Sequence, residues 1–81
     1  MKGSTAVDQF LNCWVQVDYG DNISVNGRVD CLFKSCNDVT TSIVVRLFHQ
    51  IHGFQESVMI SVDAIKKIQL HEYLEEHFKQ I

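Results

Sequence analysis

The chain has 81 residues, enough for one domain but so short that only about 60% of the unfolded surface is buried, which favours oligomerisation or a very compact barrel. With 46% hydrophobic residues and no proline it reads as globular rather than disordered, and no apolar run approaches membrane-spanning length. Net charge is −3: residues 1–68 carry six Lys/Arg against seven Asp/Glu, giving −1, and residues 69–81 carry Lys79 against Glu72, Glu75 and Glu76, giving −2. A nearly neutral body with an acidic tail argues against a broad, sequence-independent grip on phosphates, although symmetry could still gather a local basic ring.

Met1 to Val7 lacks the apolar core of a signal peptide. Cys13, Cys31 and Cys36 are odd in number and have no CxxC spacing. They read as reduced thiols of a cytoplasmic protein, two of them in a core or an interface.

In chain order, Ser4 or Thr5 can cap a helix over about residues 4–13, since Val7, Phe10, Leu11 and Trp14 follow i, i+3, i+4, i+7 and Thr5 with Asp8 has capping-box spacing. A first strand follows, with Val15, Val17 and Tyr19 alternating with Gln16 and Asp18. Gly20-Asp21-Asn22 forms a tight turn, because these residues tolerate positive φ or bond locally. The second strand, residues 23–33, puts Ile23, Val25, Val29, Cys31 and Phe33 on one parity and Ser24, Asn26, Arg28 and Asp30 on the other; only Leu32 breaks the alternation. Gly27 sits at the centre of the inward parity, where a missing side chain allows a sharp bend or a close backbone approach.

Ser35 to Asp38 reads as the next turn, and residues 39–48 as a third strand with Val39, Thr41, Ile43, Val45 and Leu47 on one face. His49-Gln50-Ile51-His52-Gly53 breaks the pattern. Residues 54–62 make a fourth strand with Phe54, Val58, Ile60 and Val62 on one parity, Asp63-Ala64 is a joint, and residues 65–70 make a fifth strand. The barrel thus covers about residues 14–70. From Leu70 through Tyr73, Leu74, His77, Phe78 and Ile81 the apolar spacing predicts an amphipathic helix over 70–81, with Glu72, Glu75 and Lys79 outside. Glu75 and Lys79 have the spacing of an exposed helical ion pair, worth about 0.3 kcal/mol.

No catalytic constellation stands out. There is no nucleophile elbow and no glycine-rich phosphate loop, so no enzyme and no cofactor are expected. His49 and His52 are three apart and His71 and His77 six apart, but no acidic or cysteine pattern completes a metal set. His71-Glu72 lacks the second histidine of a zincin helix, and Cys36 reads as a turn residue with only Lys34 as a nearby fixed cation.

A short helix followed by five strands, the second long and bent, resembles the Sm/LSm family of small β-barrels, which includes Hfq-like proteins. The likeness covers about residues 8–68. Phe10-Leu11-Asn12 sits where the family ends its leading helix. Gly27, Val29, Leu32 and Asn37 match its first motif, with Phe33 in place of the aspartate. Ile60-Ser61-Val62-Asp63-Ala64-Ile65-Lys66-Lys67-Ile68 keeps the apolar frame and the aspartate of the second motif without its arginine and glycine. YolD-like bacterial and phage proteins show a similar pattern of strands.

The resemblance implies a mainly β fold: a five-stranded, strongly bent antiparallel barrel with an N-terminal helix and an added C-terminal amphipathic helix. It also implies a homo-oligomeric ring of five to seven subunits, joined edge to edge through the fourth and fifth strands, with Ser57, Met59, Ser61, Ile65 and Ile68 at the interface. Single-stranded RNA would be held at the pore by Asn37 with Lys34, Ser35 and Asp63, since an amide donates to and accepts from a base at once. Ser35 stands where the family often stacks a side chain, so binding would be weaker. The alternative from another class is a protein-interaction scaffold on the same barrel, which docks a partner through the acidic C-terminal helix or the loop between Phe48 and Phe54.

Overall fold

A computed structural model describes residues 5–49 and 53–79. The Ser4 cap, His52 and Ile81 lie outside them. A 3-10 helix, Thr5–Phe10, leads into β1 (Trp14–Tyr19), β2 (Ile23–Lys34), β3 (Thr40–His49) and β4 (Gly53–Ser61); a 3-10 turn, Val62–Ala64, connects to β5 (Ile65–Leu70), and α1 is Glu72–Lys79. The strands form one antiparallel sheet in the order β4-β3-β2-β1-β5. The expected five strands are present. Among the described residues no ladder joins β4 to β5, so the sheet is open.

The leading helix is shorter and tighter than the periodicity predicts. Leu11 N–H donates to the Asp8 carbonyl and Cys13 N–H to the Phe10 carbonyl, both three-residue steps, at 3.2 and 2.9 Å. Asn12 then takes φ 65°, and its N–H reaches the Val29 carbonyl at 2.7 Å while Val29 N–H donates to the Cys13 carbonyl at 3.1 Å. The sheet therefore captures the chain before a longer helix can form, and Trp14 becomes the first residue of β1 rather than the end of a helical seam.

The sheet cannot be flat. Its two edges, four interstrand steps apart, would lie about 19 Å from each other in a flat sheet, yet only the three-residue turn Val62–Ala64 joins them. The four Cα steps from Ser61 to Ile65 span at most about 14 Å when fully extended. Curling brings the ends together: Gly20 N–H donates to the Ala64 carbonyl at 3.1 Å, and the same turn packs on β3.

Gly27 permits that curl. It is buried and pairs with Val15 on one side and Leu47 on the other. A Cβ there would sit 2.8 Å from Val45 Cγ1 and 2.9 Å from the Arg46 carbonyl carbon, and closer still to the Arg46 oxygen. Beyond it, Val29 pairs with Val45 and Cys31 with Val44, so Asp30, three residues after Gly27, is the extra residue of a β-bulge. The bulge reverses the parity. Leu32, the residue out of step in the sequence, packs against the core, while Cys31 and Phe33, expected inside, are exposed. A second irregularity at Thr41 does the same for β3: Phe33 pairs with Ser42 and Lys34 with Thr40, so Thr40 is buried while Val39 and Thr41 face out. Ile23, at the turn end of the β1–β2 hairpin, is also exposed. The turn beyond it has Gly20 and Asn22 at positive φ, 57° and 62°.

The core contains Val7, Val15, Val17, Val29, Ile43, Val45, Ile60, Val62 and Ile65. Each such side chain contributes about 1.5–3 kcal/mol of transfer free energy when fully buried. Trp14 and Leu74 are buried outside this cluster, and the Trp14 ring meets Phe48 edge-on at 5.8 Å and 86°. α1 packs chiefly on β1. Its predicted seam is corrected: Leu74 is buried, but Tyr73 is 71% exposed and Leu70, still within β5, is half exposed. Glu75, expected to face solvent, instead accepts the Trp14 N–H at 2.8 Å.

Because backbone at Arg46 and not a flexible side-chain end blocks the site, Gly27→Ala should lower the unfolding free energy by about 1–3 kcal/mol and Gly27→Val by more. Urea denaturation checks this, and a wild-type midpoint for Gly27→Val would refute the account of the bend.

Candidate functional site

The turn between β2 and β3 is built by its own backbone. Ser35 N–H donates to the Val39 carbonyl and Asp38 N–H to the Ser35 carbonyl, each at 2.9 Å. Asn37 N–H donates to Ser35 Oγ at 3.3 Å, and Asp38 takes φ 64°, a conformation that Asn and Asp tolerate. Asn37 is left exposed at the tip, and no partner for its side-chain amide is found among the described residues. Ser35, a candidate RNA contact, has a structural task here as the acceptor that shapes the turn.

Lys34 is not a free cation. Its Nζ lies 3.5 Å from Asp8 Oδ2 and 3.7 Å from Asp38 Oδ1, and the Thr40 hydroxyl donates to Asp8 Oδ1. Asp8 thus ties the leading 3-10 helix to the β2–β3 turn. Asp63 lies in the turn that leaves β4 at Ser61, which pairs with Ser42 two residues into β3, and meets the first hairpin one residue later, where Gly20 N–H donates to the Ala64 carbonyl. Lys34, Ser35 and Asn37 therefore share one end of the fold, and Asp63 stands between that end and the first hairpin. With Lys34 set against Asp8 and Asp38, the β2–β3 end is acidic.

The candidate interface residues divide. Ser57, Met59 and Ser61 are exposed on β4. Ile65 is 1% exposed and its side chain belongs to the subunit's own core, while Ile68 packs partly against that core. An approaching strand would meet the backbone of β5 and not the Ile65 side chain.

Three features escaped the sequence reading. His71 is a helix cap: Leu74 N–H donates to its Nδ1 at 3.3 Å, Glu75 N–H to its carbonyl at 2.9 Å, and its own N–H goes to the Trp14 carbonyl at 2.9 Å. Asp30, at the bulge, grips Arg28 Nε at 3.1 Å and Arg46 Nε at 2.7 Å. A cleft of about 450 Å³ on β1, β5 and the first hairpin is lined by Gln16, Asp18, Tyr19, Ile23, Lys66 and Lys67, among others. Asp18 Oδ1 is buried beside it and has no hydrogen-bond partner among the described residues. Each depends on contacts across strands, which periodicity along one strand does not reveal.

Among the described residues there is no group of three or more His, Cys, Asp or Glu placed to hold a metal ion, and no helix is long and apolar enough to cross a membrane. The cysteines carry no disulfide; Cys31 and Cys36 are exposed and Cys13 is half buried, so of the two thiols expected in a core or an interface, only Cys13 packs against the subunit core. Removing the carboxylate of Glu75, which takes away an acceptor of the Trp14 N–H, should cost about 1–3 kcal/mol in Glu75→Ala. A red-shifted emission of Trp14, the sole tryptophan, would report the loosened helix. The chain matches no protein-family model, and no curated protein or solved structure matches it either.

Proposed function

We propose that the chain is a non-catalytic Sm-like module that assembles with copies of itself into a ring and holds single-stranded RNA at the ring's centre through Asn37. The observation that carries the reading is the pair of sheet edges. Among the described residues β4 and β5 are the two outer strands of a curled sheet, joined by only three residues, and an edge strand presents a row of backbone donors and acceptors that a neighbouring strand can pair. β4 of one copy laid against β5 of the next satisfies both rows and extends the curled sheet into a barrel-like ring. Such a head-to-tail contact closes when its rotation divides the circle.

Around the axis of that ring the Ser35–Asp38 turn and Asp63 recur once per subunit. One amide contact becomes several on a flexible strand, which raises affinity through effective concentration. The acidic surroundings of Asn37 keep that affinity modest. The cleft that combines Tyr19 with Lys66 and Lys67 adds an aromatic and two cations, a combination suited to a single strand.

The pairing of Lys34 with Asp8 and Asp38 favours one second reading, a scaffold that binds protein and not RNA, with α1 as the docking element.

Light scattering should give five to seven times 9.3 kDa, and a monomer at micromolar concentration would remove the ring. In fluorescence anisotropy at low salt, oligo(U) or oligo(A) should bind, Asn37→Ala should weaken binding with little loss of stability, and rising salt should weaken it further. If neither strand binds, or if Asn37→Ala binds like wild type, the RNA reading fails and the scaffold reading takes its place.

A further inference from the structure

The bulge at Asp30 has an effect on the outside of the sheet as well as on the core. Residues directly paired across strands project to the same face, so the register defines the outer rows. Arg28, Arg46 and Ser57 form one row across β2, β3 and β4; Cys31, Val44 and Met59 form the next, and Phe33, Ser42 and Ser61 the third. Exposure agrees with this assignment: Met59 is 61% and Phe33 46% exposed, and Cys31 is exposed beside them. The result is an apolar strip of Cys31, Val44, Met59 and Phe33, bordered on one side by two guanidinium groups held in place by Asp30.

The same chain carries a complementary surface. On α1, Leu74 is buried, Glu75 is bonded to β1 and His71 caps the helix. These positions fall on one arc at 100° per residue. Glu72, Tyr73 and Glu76 fall on the opposite arc, and all three are exposed. That arc is an aromatic flanked by two carboxylates, facing outward at the acidic end of the chain.

We infer that the outer face of β2, β3 and β4 docks the outward arc of α1 from a second copy of this chain. Tyr73 lies on the Val44–Met59 strip, and Glu72 and Glu76 meet Arg28 and Arg46. Arginine suits this role because its planar fork binds a carboxylate through two donors while Asp30 fixes its orientation. A strip of this kind on a small domain marks an interaction site, and the matching charge pattern on α1 identifies the occupant. The contact is heterologous, face to helix, and stands apart from the edge-to-edge pairing of β4 with β5, so either can exist without the other.

Two measurements test it. In a background with Cys13→Ser and Cys36→Ser, Tyr73→Cys should form a covalent dimer with the native Cys31 under mild oxidation, and mixing two tagged forms should show that the bond is between chains. Adding Cys31→Ser should abolish that species. By sedimentation equilibrium, Phe33→Asp, and separately Glu72→Lys with Glu76→Lys, should each weaken self-association by about tenfold or more, and added salt should weaken the wild-type contact. All these positions are exposed, and unchanged circular dichroism will show that the variants fold. If the variants associate like wild type, or if the Tyr73→Cys crosslink persists without Cys31, the inference is wrong whatever becomes of the ring. Loss of association restored by a foreign acidic helix in place of α1 would also overturn it, because the face would then select charge and not a copy of this chain.

Discussion

One close approach governs this fold: the backbone of β2 at Gly27 against the backbone of β3 at Arg46. A side chain on Gly27 would collide with the Arg46 carbonyl group and with Val45, and without that contact β2 and β3 could not pack tightly through the bend. The bend in turn lets Val62–Ala64 carry the chain from one edge of the sheet to the other in three residues. It also gathers Val15, Val29, Val45 and Ile60 into one core. In an 81-residue chain there is little further apolar surface to draw on, so a loss at this point cannot easily be offset elsewhere.

The bulge at Asp30 completes the bend and divides the strand into two halves of opposite parity. Its carboxylate is the natural partner for Arg28 and Arg46, which flank the distortion on neighbouring strands. These groups are partly exposed, so the ion pairs contribute little to stability on their own. Their larger effect is on the surface: they fix two cations beside the apolar row that the reversed parity turns outward. Local backbone geometry and the chemistry of the outer face thus share one cause.

Much of this was legible in the sequence. Alternation located all five strands, Gly20 to Asn22 announced the first hairpin, and Gly27 stood out as the one inward position without a side chain. Leu32 was a visible clue to the bulge, because an apolar residue out of step marks a change of parity, but its meaning requires the partner strand. Cys31, Phe33, Val39 and Thr41 were assigned to the wrong face for that reason. Helical periodicity misled at both ends: Trp14 fits a helical seam yet starts a strand, and Tyr73 fits the seam of α1 yet points outward, because only about two turns of helix follow β5 and Leu74 with Glu75 suffice to dock them. At the candidate site the position of Asn37 in a turn was readable. The pairing of Lys34 with Asp8 was not, since it joins residues 26 positions apart through the folded sheet.

The central claim is that β4 and β5 are edges meant for another copy of the chain. Amide hydrogen exchange read strand by strand at high and low protein concentration addresses it directly, because β4 and β5 are the outer strands and, among the described residues, no ladder covers their outer edges. The account predicts that the outward amides of β4 and β5 are protected like those of β2 in the assembled protein and become fast-exchanging on dilution, while their inward amides, which face β3 and β1, stay protected with the rest of the sheet. Fast exchange of the outward β4 and β5 amides at every concentration, with the rest of the sheet protected, would contradict it.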